Sequence, residues 1–77
     1  MMRNELIEKM KQILKDEIDV GEVRAEDSFL DDLEMSSVEI FSFIASLESA
    51  LRIRIPERVI SQVSTVGELA DAIEKLQ

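Results

Sequence analysis

Two adjacent hydroxyls, Ser36 and Ser37, follow an acidic stretch, Asp31-Asp32-Leu33-Glu34-Met35, and open an apolar run. Ser36-Ser37-Val38-Glu39 has the form of a capping box, a hydroxyl at N-cap and a carboxylate three residues on. The pattern predicts Ser36 at N-cap and Ser37 as the first residue of a helix. A hydroxyl in that position is exposed to unpaired backbone N–H groups and to the positive end of the helix macrodipole. An anion attached to it, a phosphodiester above all, sits where a helix favours negative charge. The same pattern is also that of two serines that serve only as caps. Asp31, Asp32 and Glu34 have the chemistry to hold a divalent cation weakly. Their spacing is not that of an EF-hand loop, and no metal site is assigned.

The rest of the composition narrows the chemistry. The 77 residues contain no cysteine and no histidine. That removes thiolate nucleophiles, sulfur metal sites, the usual general base and the commonest transition-metal ligand. Self-contained acid–base or nucleophilic catalysis is therefore not expected. The net charge is −8, from 17 acids and 9 bases. It argues against nucleic acid or an anionic membrane as partner and favours basic protein surfaces. Met1-Met2-Arg3-Asn4-Glu5 lacks the apolar run of a signal peptide, and no stretch approaches the ~20 apolar residues of a membrane span. The expectation is one small acidic domain over residues 1–77, monomeric and cytoplasmic.

Helical periodicity supplies the elements that must position the serines. Residues 3–16 carry Leu6, Ile7, Met10, Ile13 and Leu14 on one stripe, with Asn4 as candidate N-cap. Residues 17 to about 36 form a long connection, and residues 16–34 hold nine acids and one base, Arg24. The acids read either as a solvated face or as a docking surface. A structureless loop of this length is unusual in a small domain. Ile18, Val20, Val23, Phe29, Leu30 and Leu33 are expected to pin it over the helices, with a single helical turn after Asp27-Ser28.

A second helix runs from about Ser37 to Leu51, with Ile40, Phe43, Ile44, Leu47 and Leu51 facing the core. Val38, Phe41 and Ala45 form a second apolar line beside that stripe. The line is either a further core contact of a central helix or, for Val38 and Phe41, a patch for a partner near Ser37. Arg52-Ile53-Arg54-Ile55-Pro56 reads as a linker. Pro56 suits the start of a short third helix, about 57–62, with Val59, Ile60 and Val63 facing inward. Thr65-Val66-Gly67-Glu68 is a second capping box and opens a fourth helix, buried through Leu69, Ala70, Ile73 and Leu76.

This arrangement resembles an acyl carrier protein over essentially the whole chain. The family motif Asp-Leu-Gly-x-Asp-Ser-Leu reads here Asp32-Leu33-Glu34-Met35-Ser36-Ser37-Val38. Asp27-Ser28-Phe29-Leu30-Asp31 is similar to the family's approach to the motif. Ile55-Pro56 and Ser64-Thr65-Val66-Gly67-Glu68-Leu69 resemble the entries to its third and fourth helices. The resemblance implies an all-α four-helix bundle with a long first loop and a short third helix. It implies a carrier rather than an enzyme, with 4′-phosphopantetheine joined to Ser37 by a phosphodiester and acyl groups held as thioesters on its thiol. The sulfur then belongs to the cofactor, which reconciles thioester chemistry with a chain lacking cysteine.

It also implies a phosphopantetheinyl transferase and acyl-transferring or synthase enzymes with basic docking surfaces as partners. Asp31, Asp32, Glu34, Val38, Glu39 and Phe41 are the docking candidates. Phe41, Phe43, Ile44, Leu47, Ile55, Val59, Ile60 and Ile73 are candidates to line a space for the acyl chain and equally candidates for ordinary core residues. The chain departs from the family at three motif positions, where Glu34, Ser36 and Val38 replace Gly, Asp and Leu. The second helix is also poor in acids, with Ser42, Ser49, Ala50, Arg52 and Arg54 at places often acidic in the family. Those departures point to a carrier with its own partners, in a fatty-acid, polyketide, aminoacyl or specialised lipid pathway. The alternative is an unmodified carrier-like interaction or structural subunit.

Overall fold

The computed structural model describes residues 2–76. Its four helices are α1 (Arg3–Glu17), α2 (Ser37–Leu51), α3 (Glu57–Gln62) and α4 (Val66–Leu76). The fold is all-α. Between residues 2 and 76 extended pairing is limited to one antiparallel bridge, Ser28 with Thr65. α1 packs against both α2 and α4, and α3 packs against α4.

The core follows the helical periodicity of the chain. Leu6, Met10 and Leu14 of α1, Phe43 and Leu47 of α2, and Val66, Leu69, Ala70 and Ile73 of α4 are fully buried. Two expectations at the helix ends are corrected. α1 begins at Arg3 behind Met2, which offers no side-chain cap, so Asn4 lies inside the first turn instead of capping it. Leu76 continues the apolar stripe of α4 but, in the helix's last turn, is 40% exposed. Val59, Ile60 and Val63 are half-buried, consistent with a short helix lying on the bundle rather than inside it.

Polar ties join the elements. Glu17, at the end of α1, accepts hydrogen bonds from the Ser42 hydroxyl at 2.9 Å and the Ser46 hydroxyl at 2.7 Å, both on α2. Arg3 pairs with Asp71 of α4 at 2.6 Å, an exposed pair that adds little stability. α2 ends at Arg52, which takes a left-handed conformation (φ 55°), its N–H donating to the Glu48 carbonyl.

The long loop is held, not loose. Val23, Phe29 and Met35 are buried in it, and Ile18, Val20, Ala25 and Leu33 are half-buried. The Phe29 ring lies 5.8 Å from the Phe43 ring, tilted by 43°. Leu30 is 62% exposed and is not an anchor. The reason is local: the chain turns through residues 29–32, closed by Asp32 N–H on the Ser28 carbonyl at 3.0 Å. With Phe29 turned inward, its neighbour faces out. The chain returns through Met35, whose N–H donates to the Phe29 carbonyl at 2.9 Å, and Met35 takes the inner place.

The loop is stitched to the start of α4. Phe29 N–H donates to the Ser64 carbonyl, Val66 N–H to that of Asp27, and Gly67 N–H to that of Ala25 at 2.7 Å. A Cβ on Gly67 would lie 3.0 Å from the Ala25 carbonyl oxygen and 2.7 Å from Arg3 Nη2, so only glycine permits this approach without displacement.

Candidate functional site

The start of α2 is built as a complete capping box. Ser36 Oγ accepts from Glu39 N–H at 3.2 Å, and the Glu39 carboxylate accepts from Ser36 N–H at 2.8 Å. Ser36 Oγ thereby serves as the helix cap. Ser37 is the first helical residue and is exposed. Among the described residues its hydroxyl has no hydrogen bond, and the N–H groups of Ser37 and Val38 have no partner either. A free hydroxyl at the positive end of a 15-residue helix can carry an anionic ester with favourable electrostatics.

Ser37 stands at the rim of a cleft of about 260 Å³. One wall is α2, through Ile40, Phe41 and Ile44; the other is the α3 side, through Ile60 and Val63, with Leu30 of the loop at the edge. Of the residues expected to line such a space, Phe41, Ile44 and Ile60 do so. Phe43, Leu47, Ile55 and Ile73 belong to the packed core, and Val59 faces a separate depression beside α4.

All six docking candidates, Asp31, Asp32, Glu34, Val38, Glu39 and Phe41, are exposed around this point. Val38 is 78% and Phe41 52% exposed, and Ala45 is exposed too. The second apolar line of α2 is thus a surface patch, not a core contact. Two of the acids also work locally: Asp32 accepts from Ser28 N–H at 2.7 Å and Glu39 closes the capping box. Among the described residues no group of three or more His, Cys, Asp or Glu side chains converges in a way that would hold a metal ion.

Two features were not foreseen from sequence. Met35 is a buried anchor directly before the cap. Glu34 has φ 50°, in the left-handed region that favours glycine, at the position where the resembled motif has Gly. The motif glycine was the signal, since a tight approach to the cap needs that conformation.

The family model described as phosphopantetheine attachment site matches residues 4–73. The acyl carrier protein of Clostridium acetobutylicum is 37% identical over 71 residues, covering 90% of this chain and 92% of that one. That of Rubrobacter xylanophilus is 34% identical over 79 residues, covering 100% and 98%. A solved Mycobacterium tuberculosis chain, proposed to be an acyl carrier protein, aligns over 100% of both chains with a TM-score of 0.74 at 26% identity. With its four helices, its capped α2 and these relatives, the chain belongs to the acyl carrier protein family, whose cofactor is covalently attached 4′-phosphopantetheine.

Proposed function

We propose that Ser37 is the attachment residue, and that the protein carries acyl intermediates as thioesters between enzymes of a fatty-acid, polyketide or specialised lipid pathway. The observation that supports the choice of serine is the division of labour at the cap. Both serines are exposed, but Ser36 Oγ accepts from Glu39 N–H as the helix cap, while Ser37 Oγ has no hydrogen bond among the described residues. The arm, when attached, supplies the thiol that holds the acyl group. The residues of this chain do the rest. The unpaired N–H groups of Ser37 and Val38 and the α2 dipole favour the phosphodiester. The apolar cleft beside Ser37 offers a surface to the acyl chain. Tethering keeps the thioester at high effective concentration near a docked enzyme.

In this reading a phosphopantetheinyl transferase modifies the protein, which acts as a monomer in the cytoplasm. Acyl-transferring enzymes with basic surfaces meet Asp31, Asp32, Glu34 and Glu39, with Val38 and Phe41 as the apolar centre of contact. One feature favours a second reading, an unmodified interaction subunit: Ser36 stands where the family motif has an acid. The test is incubation with coenzyme A and a broad-specificity transferase, followed by intact mass. The wild type gains one phosphopantetheinyl group and Ser37→Ala gains none. A wild type that stays unmodified selects the second reading.

A further inference from the structure

The charge on this chain is not merely acidic; it is polarised along α2. Acids crowd the Ser37 end, whereas Arg52 caps the opposite end of α2, and Arg54 and Arg58 follow it in the linker and the first turn of α3, all exposed. Residues 49–63 hold these three arginines against one acid, Glu57, in a chain of 17 acids and 9 bases. The neighbouring Glu48 is occupied, its carboxylate accepting from Ile55 N–H at 2.7 Å. Among the described residues none of the three arginines forms an ion pair. The linker sets their direction: Ile53 is half-buried and Ile55 buried, and the alternating Arg52 and Arg54 face solvent.

Compensation of the α2 dipole accounts for cations at Arg52 and Arg54. It does not account for Arg58, which lies in the first turn of α3, where a helix disfavours positive charge. Between the two charged ends the exposed residues of α2 are Phe41, Ser42, Ala45, Ser49 and Ala50, with the Glu17 carboxylate held on Ser42, so beyond Phe41 α2 itself presents only small side chains there.

We propose that Arg52, Arg54 and Arg58 form a second docking contact, for a carboxylate cluster on the enzymes that receive this carrier. The proposal rests on the carrier reading above and deepens it. A partner then presents basic residues to Asp31, Glu34 and Glu39 and acidic residues to the arginines. α2 is 15 residues long, so its two ends lie about 22 Å apart at 1.5 Å per residue. Opposite charges at the two ends give the encounter a direction: a partner rotated end for end meets like charge at both contacts, which suppresses the wrong orientation. A partner whose whole docking face is basic is disfavoured for the same reason.

The test is a titration of the ¹⁵N-labelled full chain at low ionic strength, with hexaglutamate standing for the carboxylate cluster and hexalysine as the opposite probe. The side-chain Nε–H signals of Arg52, Arg54 and Arg58 report the contact directly. Hexaglutamate is expected to shift these signals and the amides of residues 52–58, and hexalysine those of residues 31–39. R54E/R58E should lose the hexaglutamate shifts and keep the hexalysine ones, while R54K/R58K should retain part of the former. If R54E/R58E fails to fold, R54Q/R58Q serves in its place. The proposal is overturned if hexaglutamate shifts nothing, shifts Arg3 and Arg24 equally, or acts undiminished on the reversed variant. Ser37 labelling is scored separately. Normal labelling without a hexaglutamate response removes the second contact alone, and absent labelling removes the carrier reading without touching the titration.

Discussion

The chain contains two capping boxes, and only one of them opens onto a usable surface. At α4, Thr65 Oγ1 accepts from Glu68 N–H at 3.1 Å, and Glu68 accepts from Thr65 N–H and from both the N–H and hydroxyl of Ser64. The next two residues, Val66 and Gly67, are buried under the loop. At α2 the box is made the same way, but the next two residues, Ser37 and Val38, face solvent beside a cleft. The box sets where a helix starts; what packs on the first turn decides whether that start can bind anything. The loop covers one helix start and leaves the other bare.

Exchanging the residues at the first helical position tests this contrast with the largest effect. Val66→Ser removes buried apolar volume and places a hydroxyl among apolar neighbours. It should cost about 2–4 kcal/mol in chemical denaturation. Ser37→Val alters an exposed position and should stay within about 0.5 kcal/mol of wild type. Comparable costs at both sites would mean that the two starts are packed alike.

At the second position, Gly67→Ala brings a Cβ to 3.0 Å from the Ala25 carbonyl oxygen, so the loop must shift. A loss of about 1–3 kcal/mol is expected, against about 0.5 kcal/mol or less for Val38→Ala. Glu34, on the approach to the α2 box, has φ 50°. Glu34→Gly relieves the left-handed conformation and should raise stability by about 0.5–1 kcal/mol after the added chain entropy of glycine is counted. A destabilised Glu34→Gly would show that the glutamate side chain contributes more than its backbone costs.

The smallest effect is in pH. Hydrogen bonds from Ser64 N–H, the Ser64 hydroxyl and Thr65 N–H hold the Glu68 carboxyl below its ordinary value of 4.5. A carboxyl with a depressed pKa in the fold stabilises the fold above its unfolded pKa and loses that contribution as pH falls through the folded one. The α4 cap should therefore weaken below about pH 4.5. Melting curves of Glu68→Gln against pH should show a shallower acid decline than wild type; an identical decline would place the acid sensitivity elsewhere.

Much of this contrast is legible in the sequence. Both boxes read directly from Ser36–Glu39 and Thr65–Glu68, and the stripes of α1, α2 and α4 follow from helical spacing. The buried and exposed sides of the loop do not. Leu30, expected as an anchor, faces solvent, and Met35, not among the expected anchors, is buried, because turn geometry, not a repeating period, decides which side chain points inward. The Glu17 clasp by Ser42 and Ser46 joins residues 25 and 29 positions apart and has no local signal. The cover over Val66 and Gly67 depends on loop-to-helix hydrogen bonds that no spacing rule anticipates. At the site, the motif register already points to Ser37 over Ser36, and the capping bond on Ser36 adds a separation of the two serines in the structure.

That separation is tested most directly by locating the modification. After incubation with coenzyme A and a broad-specificity transferase, tandem mass spectrometry of the peptide spanning residues 31–52 assigns the added group to one serine. The account predicts the phosphopantetheinyl group on Ser37, with Ser36→Ala still modified at Ser37. A label on Ser36, or a Ser37→Ala protein that is still labelled, would contradict it.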